Sequence, residues 1–445
     1  MDFITHKSID LDASIKNLNW TVQHMVKLAE DFYQSMGLPA MTPKFWRESV
    51  LEKKNGDTQC HGTAADMFQD DDYRLLYCAD TTMEDLYVLH HELGHIHYYM
   101  AYANQPVLFR QANSALQESI GDAIFYGVMT PQHLHRLNLV NDTIGYSDST
   151  AKPPEQKLED VIERNDYHPE KLINNLKVDQ METNQNHKAS QKYDIADNFY
   201  DISKTNEKQY DKISDSGFSK NNVEAKRIET FGDRIDDTLT MNMKIDKSDL
   251  NTVETLDLTP DELLLLKQAL NKIPQIPYAL VIDEYRWKYF EGGMDMNALN
   301  KEFWDLTLEL QGIVPPEERD EQYFDVAAKF HVPDNTAYIR YFLSSFIQHQ
   351  IFEALCRAAV FGRRDMTTPL PDTIIMNRCD IYGSKAAGKL LKDFMSRGHS
   401  QHWREILFAT TGNTDITPLA LQRYYRPLYN ILERTVKKLN IPLGW

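Results

Sequence analysis

The sequence predicts an all-α fold with only minor β elements. Apolar residues recur at helical spacing through most of the chain outside one polar stretch. Helix-start signals precede several of these runs. Only one short segment, CHGTAADM at 60–67, reads as an extended edge. With 445 residues, 42% of them hydrophobic, the chain can bury one large core or two domains.

The elements follow in order. The run ASIKNLNWTVQHMVKLAEDFYQSMG at 13–37 places Ile15, Leu18, Val22, Met25, Val26, Leu28, Ala29 and Phe32 near one helical stripe, with Gly37 as a stop. A long helix is expected from about Thr82 to Ala103, with Thr82 as N-cap and Glu84 and Asp85 in its first turn. A second spans roughly 113–128. From about 148 to 252 there is no Cys or Trp, polar and charged residues dominate, and apolar residues are scattered. Such a stretch buries too little apolar surface to offset its ordering entropy, so disorder is expected. Helical order resumes at LTPDELLLLKQALNKI, where Thr259, Pro260 and Glu262 form a capping-box pattern. The division is therefore 11–147 and 253–445 as two parts of one domain, with 148–252 as a polar insert.

A formal net charge of −18 argues against nucleic acid and anionic membranes as partners. No window approaches 18 consecutive apolar residues, so no membrane span is expected. The start, MDFITHKSIDLDAS, has no basic segment followed by an apolar one and does not read as a signal peptide. The cysteines fall as local pairs, Cys60 with Cys78 and Cys356 with Cys379, a pattern compatible with two disulfides or four buried thiols. Asn19 and Asn141 begin N-glycosylation sequons.

The chemistry concentrates in VLHHELGHIHYYM at 88–100, which contains the H-E-x-x-H pattern His91 to His95. Residues four apart share a helix face, so His91 and His95 can present two imidazoles to one metal ion. Glu92 lies about 100° round the helix, near enough to take a proton from a water at the metal. Zinc sites of this kind use a third protein ligand and keep one position open. Glu118, 23 residues after His95 on the following helix, is placed for that role. Asp122, one turn on, can orient a ligand histidine through its free ring N–H. His90 and His97 lie off this face and read as structural. The implied reaction is metal-assisted hydrolysis, with Glu92 as general base and acid and a Tyr or His donor for the oxyanion. AAKFHVPDNTAYIRYF offers Lys329, His331, Tyr338, Arg340 and Tyr341, a dense set of donors that an ordinary amphipathic segment could also contain. No nucleotide-binding glycine loop or serine-hydrolase elbow is evident.

The segments HHELGHIHYYMAY, ESIGD, TPQHLHRLNL, AAKFHVPDNTAYIRYF, FEALCRAA with CDIYGSKAAG, and MVKLAEDFYQSMGLPAMTPKFWRESVLEK resemble the angiotensin-converting enzyme family of zinc peptidyl dipeptidases. The resemblance covers about 11–147 and 253–445. It implies a helical zinc-peptidase catalytic domain of the gluzincin type, incomplete on its N-terminal side, acting on oligopeptides in an extracellular setting. By position it implies His91, His95 and Glu118 as zinc ligands, Glu92 as general base, and Asp122 as the group behind a ligand. Tyr341 is similar to the family's oxyanion-stabilising tyrosine. His61 and His331 resemble histidines that bind substrate backbone, and Gly62 and Ala64 fall on a segment that pairs with substrate. Lys329 and Tyr338 match residues that hold a substrate C-terminal carboxylate, which favours release of a dipeptide. Arg340 matches a chloride-binding arginine, so chloride is implied as an activator, although Lys288 stands where an arginine is typical. The cysteine pairs match two family disulfides, so the resemblance implies bridges rather than thiols. The family's domain is longer at its N-terminus, so a relative that binds zinc or peptide without turnover stands as the alternative function.

Overall fold

The computed structural model describes residues 9–53, 61–140, 258–362, 368 and 370–442. The chain divides into two compact units, Met1–Asp160 with Glu254–Trp445, and Val161–Val253. All described residues belong to the first unit; the polar stretch 148–252, Cys60 and Asn141 lie outside them.

Helices dominate, as expected. Helix α1 (Leu11–Asn17) and α2 (Val22–Ser35) replace the single stripe expected at 13–37. The break has a local cause. Asn19 adopts a left-handed φ of 51°, and the Thr21 hydroxyl accepts from the His24 N–H to cap a new helix. Leu18 consequently turns to solvent, whereas Ile15, Met25, Val26, Ala29 and Phe32 are buried. Helix α3 (Pro43–Glu48) leads into an antiparallel hairpin of β1 (Thr63–Asp66) and β2 (Tyr73–Leu76), in which Thr63 faces Leu76 and Asp66 faces Tyr73. The extended segment was legible; its partner β2 was not.

The long α4 (Met83–Tyr102) is capped by Thr82, whose hydroxyl accepts from the Asp85 N–H at 3.1 Å. Next come α5 (Ser114–Val128) and α6 (Pro131–Arg136). After the undescribed stretch, α7 (Pro260–Lys272) starts with the expected reciprocal capping box between Thr259 and Glu262. It is followed by α8 (Gln275–Phe290), α9 (Leu299–Gln311), α10 (Ile339–Phe361), α11 (Lys385–Met395), α12 (Trp403–Thr411) and α13 (Leu419–Leu439). Helix α5 is the central element, packed between α4 and α10 and buried along almost its whole length. A smaller core under α8 and α9 includes Val281, Ile282, Tyr285, Phe303 and Tyr338. The Cys356–Cys379 disulfide ties α10 to the loop before α11, with Cα atoms 5.9 Å apart. Cys78 is disulfide-bonded; its expected partner, Cys60, is not among the described residues. No helix among the described residues is long and apolar enough to cross a membrane.

Two glycines set the approach of α4 to α5. A Cβ on Gly121 would lie 2.2 Å from the His91 Cα, and one on Gly94 would lie 2.7 Å from the Gly121 backbone nitrogen. The helices therefore cross in backbone contact, which only residues without side chains permit.

The core also holds buried neutral histidines. His133 packs edge-on to Phe32 at 4.8 Å between ring centres, and burial, aided by His90 and Arg136, pulls its pKa down to about 3. His349 Nδ1 lies 2.7 Å from the Ser345 carbonyl, and burial pulls this histidine to about 4. Both folded values fall below the unfolded value of 6.5, so the unfolded chain binds more protons in acid. The stability they contribute is present above about pH 6.5 and is lost as pH falls toward the folded values. We expect the metal-free chain to lose up to about 1.4 kcal/mol per pH unit per histidine over that window. Denaturant titrations between pH 7 and 5 measure this. His133→Gln should flatten the dependence, and an unchanged slope would count against the assignment.

Candidate metal centre and peptide-binding site

Helix α4 presents His91 and His95 on one face, and α5 brings Glu118 opposite them. His91 Nε2 lies 3.2 Å from Glu118 Oε2 and 3.2 Å from His95 Nε2, and His95 Nε2 lies 3.4 Å from Glu118 Oε2. These three atoms form a near-equilateral triangle. Ligand atoms about 2.0 Å from a tetrahedral zinc ion are about 3.3 Å apart, so the triangle has the size of one tetrahedral face. Two imidazoles and one carboxylate also suit zinc better than calcium or magnesium, which prefer all-oxygen shells. Among the described residues this is the group of His, Cys, Asp and Glu side chains able to hold a metal ion.

Electrostatics agree with the geometry. His91 Nδ1 lies 3.0 Å from Asp122 Oδ1, which fixes the tautomer that leaves Nε2 free to ligate. In the metal-free chain, burial opposes protonation of His91, but Asp122 and Glu118 outweigh it and push its pKa up to about 10. A cation is therefore favoured at this position, and a metal ion can replace the proton. Burial acts to raise Glu118, but His95 and His91 overcome it and hold the carboxyl well below its usual range. The second ring nitrogen of His95, Nδ1, is buried without a partner among the described residues.

Glu92, next to His91 on α4, is buried too. A Cβ on Gly62 would come within 2.8 Å of its Oε1, so the backbone before β1 passes directly over the carboxylate. The His61 ring stacks on Phe330 at 4.1 Å and meets His331 edge-on at 5.5 Å. The Ala64 carbonyl accepts from Tyr99 Oη at 3.3 Å. His331 Nε2 lies 3.0 Å from Tyr341 Oη. Burial, then Lys329 and His61, pull His331 down to about 4, so it is neutral near pH 7. Burial raises Tyr341, with Glu118 adding to the effect, so it remains a phenol. Lys329 is lowered by burial, and its Nζ lies 5.1 Å from the Tyr338 ring centre. Arg340 Nη1 lies 3.8 Å from Glu118 Oε1. The fold thus gathers His61, Gly62, Lys329, His331, Tyr338, Arg340 and Tyr341 with the two histidines, Glu92 and Glu118. Asn19 is exposed, far along the chain in the α1–α2 turn.

Several supporting residues were not picked out from the sequence. Asp283, buried on α8, accepts from the N–H groups of Tyr338 and Ile339 at 2.7 and 2.5 Å, anchoring the start of α10. Arg286 pairs with Asp283 and donates to the carbonyls of Thr336 at 2.7 Å and His331 at 3.4 Å. Together they hold the loop that carries His331 and the first turn that carries Tyr341. Tyr87 donates to Asp122 Oδ1 at 2.7 Å, and Lys272 Nζ lies 3.0 Å from Oδ2. Tyr87 could have been found, because it sits one turn before His91 on the same helix face. Lys272, Asp283 and Arg286 could not, because their roles depend on long-range pairing.

Fold and site together define a class: helical domains that hold one metal ion between an H-E-x-x-H helix and a glutamate of the next long helix. Residues 1–153 and 225–445 match the family described as angiotensin-converting enzyme, and the chain belongs to that family. It is 30% identical over 439 residues to the angiotensin-converting enzyme-related protein of Drosophila melanogaster, covering 98% of this chain and 51% of that protein. It is 32% identical over 437 residues to the angiotensin-converting enzyme of Bos taurus, covering 98% of this chain and 24% of that protein. Against the Rattus norvegicus enzyme the figures are 31% over 446 residues, 100% and 25%. The chain spans about half the length of the fly relative and about a quarter of the mammalian ones.

Proposed function

We propose that this chain is a zinc metallopeptidase that releases C-terminal dipeptides from oligopeptides. The observation that carries the reading is the His91–His95–Glu118 triangle, with the buried Glu92 on the helix that carries both histidines. His91, His95 and Glu118 would hold the zinc ion, which would supply Lewis acidity toward a peptide carbonyl and a nearby water. Glu92 takes the water proton and delivers it to the leaving amine. Tyr341, kept protonated, donates to the developing oxyanion, and His331 holds the phenol in place through their 3.0 Å contact. His61 and the Gly62–Ala64 backbone bind substrate backbone. Lys329 and Tyr338 bind the substrate's terminal carboxylate, which limits the leaving product to two residues. Arg340 is the proposed chloride-responsive group. The Cys356–Cys379 disulfide supports action in an oxidising, extracellular compartment.

A second reading is a relative that binds zinc or peptide without turnover. Zinc stoichiometry and dipeptide release from an N-blocked tripeptide separate the two. The peptidase reading expects about one zinc per chain and release of the C-terminal dipeptide. Bound zinc with no release above the metal-stripped control would favour the binding protein, and no bound zinc would overturn the peptidase and leave only a zinc-free peptide binder.

A further inference from the structure

Asp122 is a buried carboxylate that meets four donors from three other helices and none from its own. On Oδ1 it accepts from Tyr87 Oη at 2.7 Å and faces His91 Nδ1 at 3.0 Å, both from α4. On Oδ2 it meets Lys272 Nζ at 3.0 Å, from the last turn of α7. The fourth donor is Gln348 of α10. Oriented with its nitrogen toward Asp122, this amide donates to Oδ2 at 2.9 Å and to the Ser344 carbonyl at 3.2 Å, while its oxygen accepts from Tyr126 Oη at 2.7 Å. A carboxylate has about four lone-pair positions, and here all are used. Lys272 is itself buried, and its Nζ lies 3.7 Å from the Tyr87 ring centre. The cation therefore touches both Asp122 and the tyrosine that also binds Asp122, closing a small ring of contacts.

We propose that Lys272 is a positioning residue of the metal centre, which locks Asp122 in the rotamer that orients His91. The inference rests on the zinc reading of the His91–His95–Glu118 group. A buried ammonium is costly to desolvate, and among the described residues its cost is offset by the carboxylate and the aromatic face it meets. Without it, Asp122 keeps three donors and loses, among the described residues, its one cationic partner apart from His91. Its plane is then free to turn, and the bond to His91 Nδ1 loosens. Groups that orient a ligand histidine typically change metal affinity 10–100-fold.

The test is zinc affinity of the full chain, read by chelator competition, for the wild type, Lys272→Met, Lys272→Arg, Asp122→Asn and the double variant Asp122→Asn with Lys272→Met. Absorption of the cobalt-substituted forms reports the ligand field, and circular dichroism reports folding. Lys272→Met should weaken zinc binding about 10-fold and alter the cobalt spectrum. Lys272→Arg should recover part of the loss, and the double variant should bind no more weakly than Asp122→Asn alone. Wild-type affinity in a folded Lys272→Met chain would make Lys272 a packing residue and overturn the proposal. So would losses that simply add in the double variant. If the wild-type chain takes up no zinc, the metal reading falls and this inference falls with it.

Discussion

Glu92→Gln is expected to lower kcat/KM for dipeptide release about 10²- to 10⁴-fold while leaving the zinc content unchanged. The substitution keeps the size and shape of a buried side chain that lies directly under the Gly62 backbone. It removes only the ability to take a proton. Glu92 contributes no atom to the triangle of His91, His95 and Glu118, so metal affinity should be indifferent. Steady-state kinetics on zinc-loaded wild type and variant provide the comparison. A variant retaining more than about a tenth of wild-type kcat/KM would remove Glu92 from the role of general base. A variant that lost its zinc would show instead that Glu92 supports the metal.

Gly121→Ala is expected to destabilise the chain by about 3 kcal/mol or more and to weaken zinc binding about 100-fold. The sign makes this informative. On helix propensity alone, alanine is better than glycine by about 1 kcal/mol. Here the new methyl would meet three backbone atoms of His91, at 2.2, 2.6 and 2.8 Å. Backbone atoms cannot swing aside as a flexible side chain does. The only relief is to push α5 away from α4, which separates Glu118 from the two histidines. Thermal denaturation of the metal-free variant and chelator competition read the two effects. A stability equal to or above wild type would mean that the helices do not cross in backbone contact.

The sequence disclosed the local parts of this protein and concealed the relational ones. His91, Glu92 and His95 are fixed by helical spacing, and Glu118 and Asp122 by the same spacing on the following helix. The Thr259–Glu262 capping box is likewise a rule about neighbours in the chain, and it appears as expected. The 13–37 stripe misled because periodicity continues through Asn19, while one left-handed residue and the Thr21 cap divide the segment in two. Strand β2 was missed because YRLL is too short to show alternation. Lys272 looks like any polar residue at the end of an amphipathic helix. Its burial against Asp122, 150 residues away in sequence, has no local signature. The same holds for Asp283 and Arg286, whose partners lie 45 to 56 residues away. Gly94 and Gly121 were visible as letters, but two glycines mark a helix crossing only once the helices are known to meet.

The four-helix convergence on Asp122 has a consequence for how the molecule is made. A ribosome releases His91, His95, Glu118 and Asp122 early, and Lys272 and Gln348 only after a long further stretch of translation. The nascent chain thus carries a complete set of metal donors well before it carries the groups that steady them. Zinc captured at that stage would be held loosely and exchanged easily. On the zinc reading, high-affinity loading is expected only after α7 and α10 dock, which would put metal acquisition at the end of biosynthesis. Ribosome-stalled chains ending near residue 180, which bring Glu118 and Asp122 clear of the exit tunnel but precede Lys272, should accordingly surrender zinc to a weak chelator that leaves the finished protein loaded.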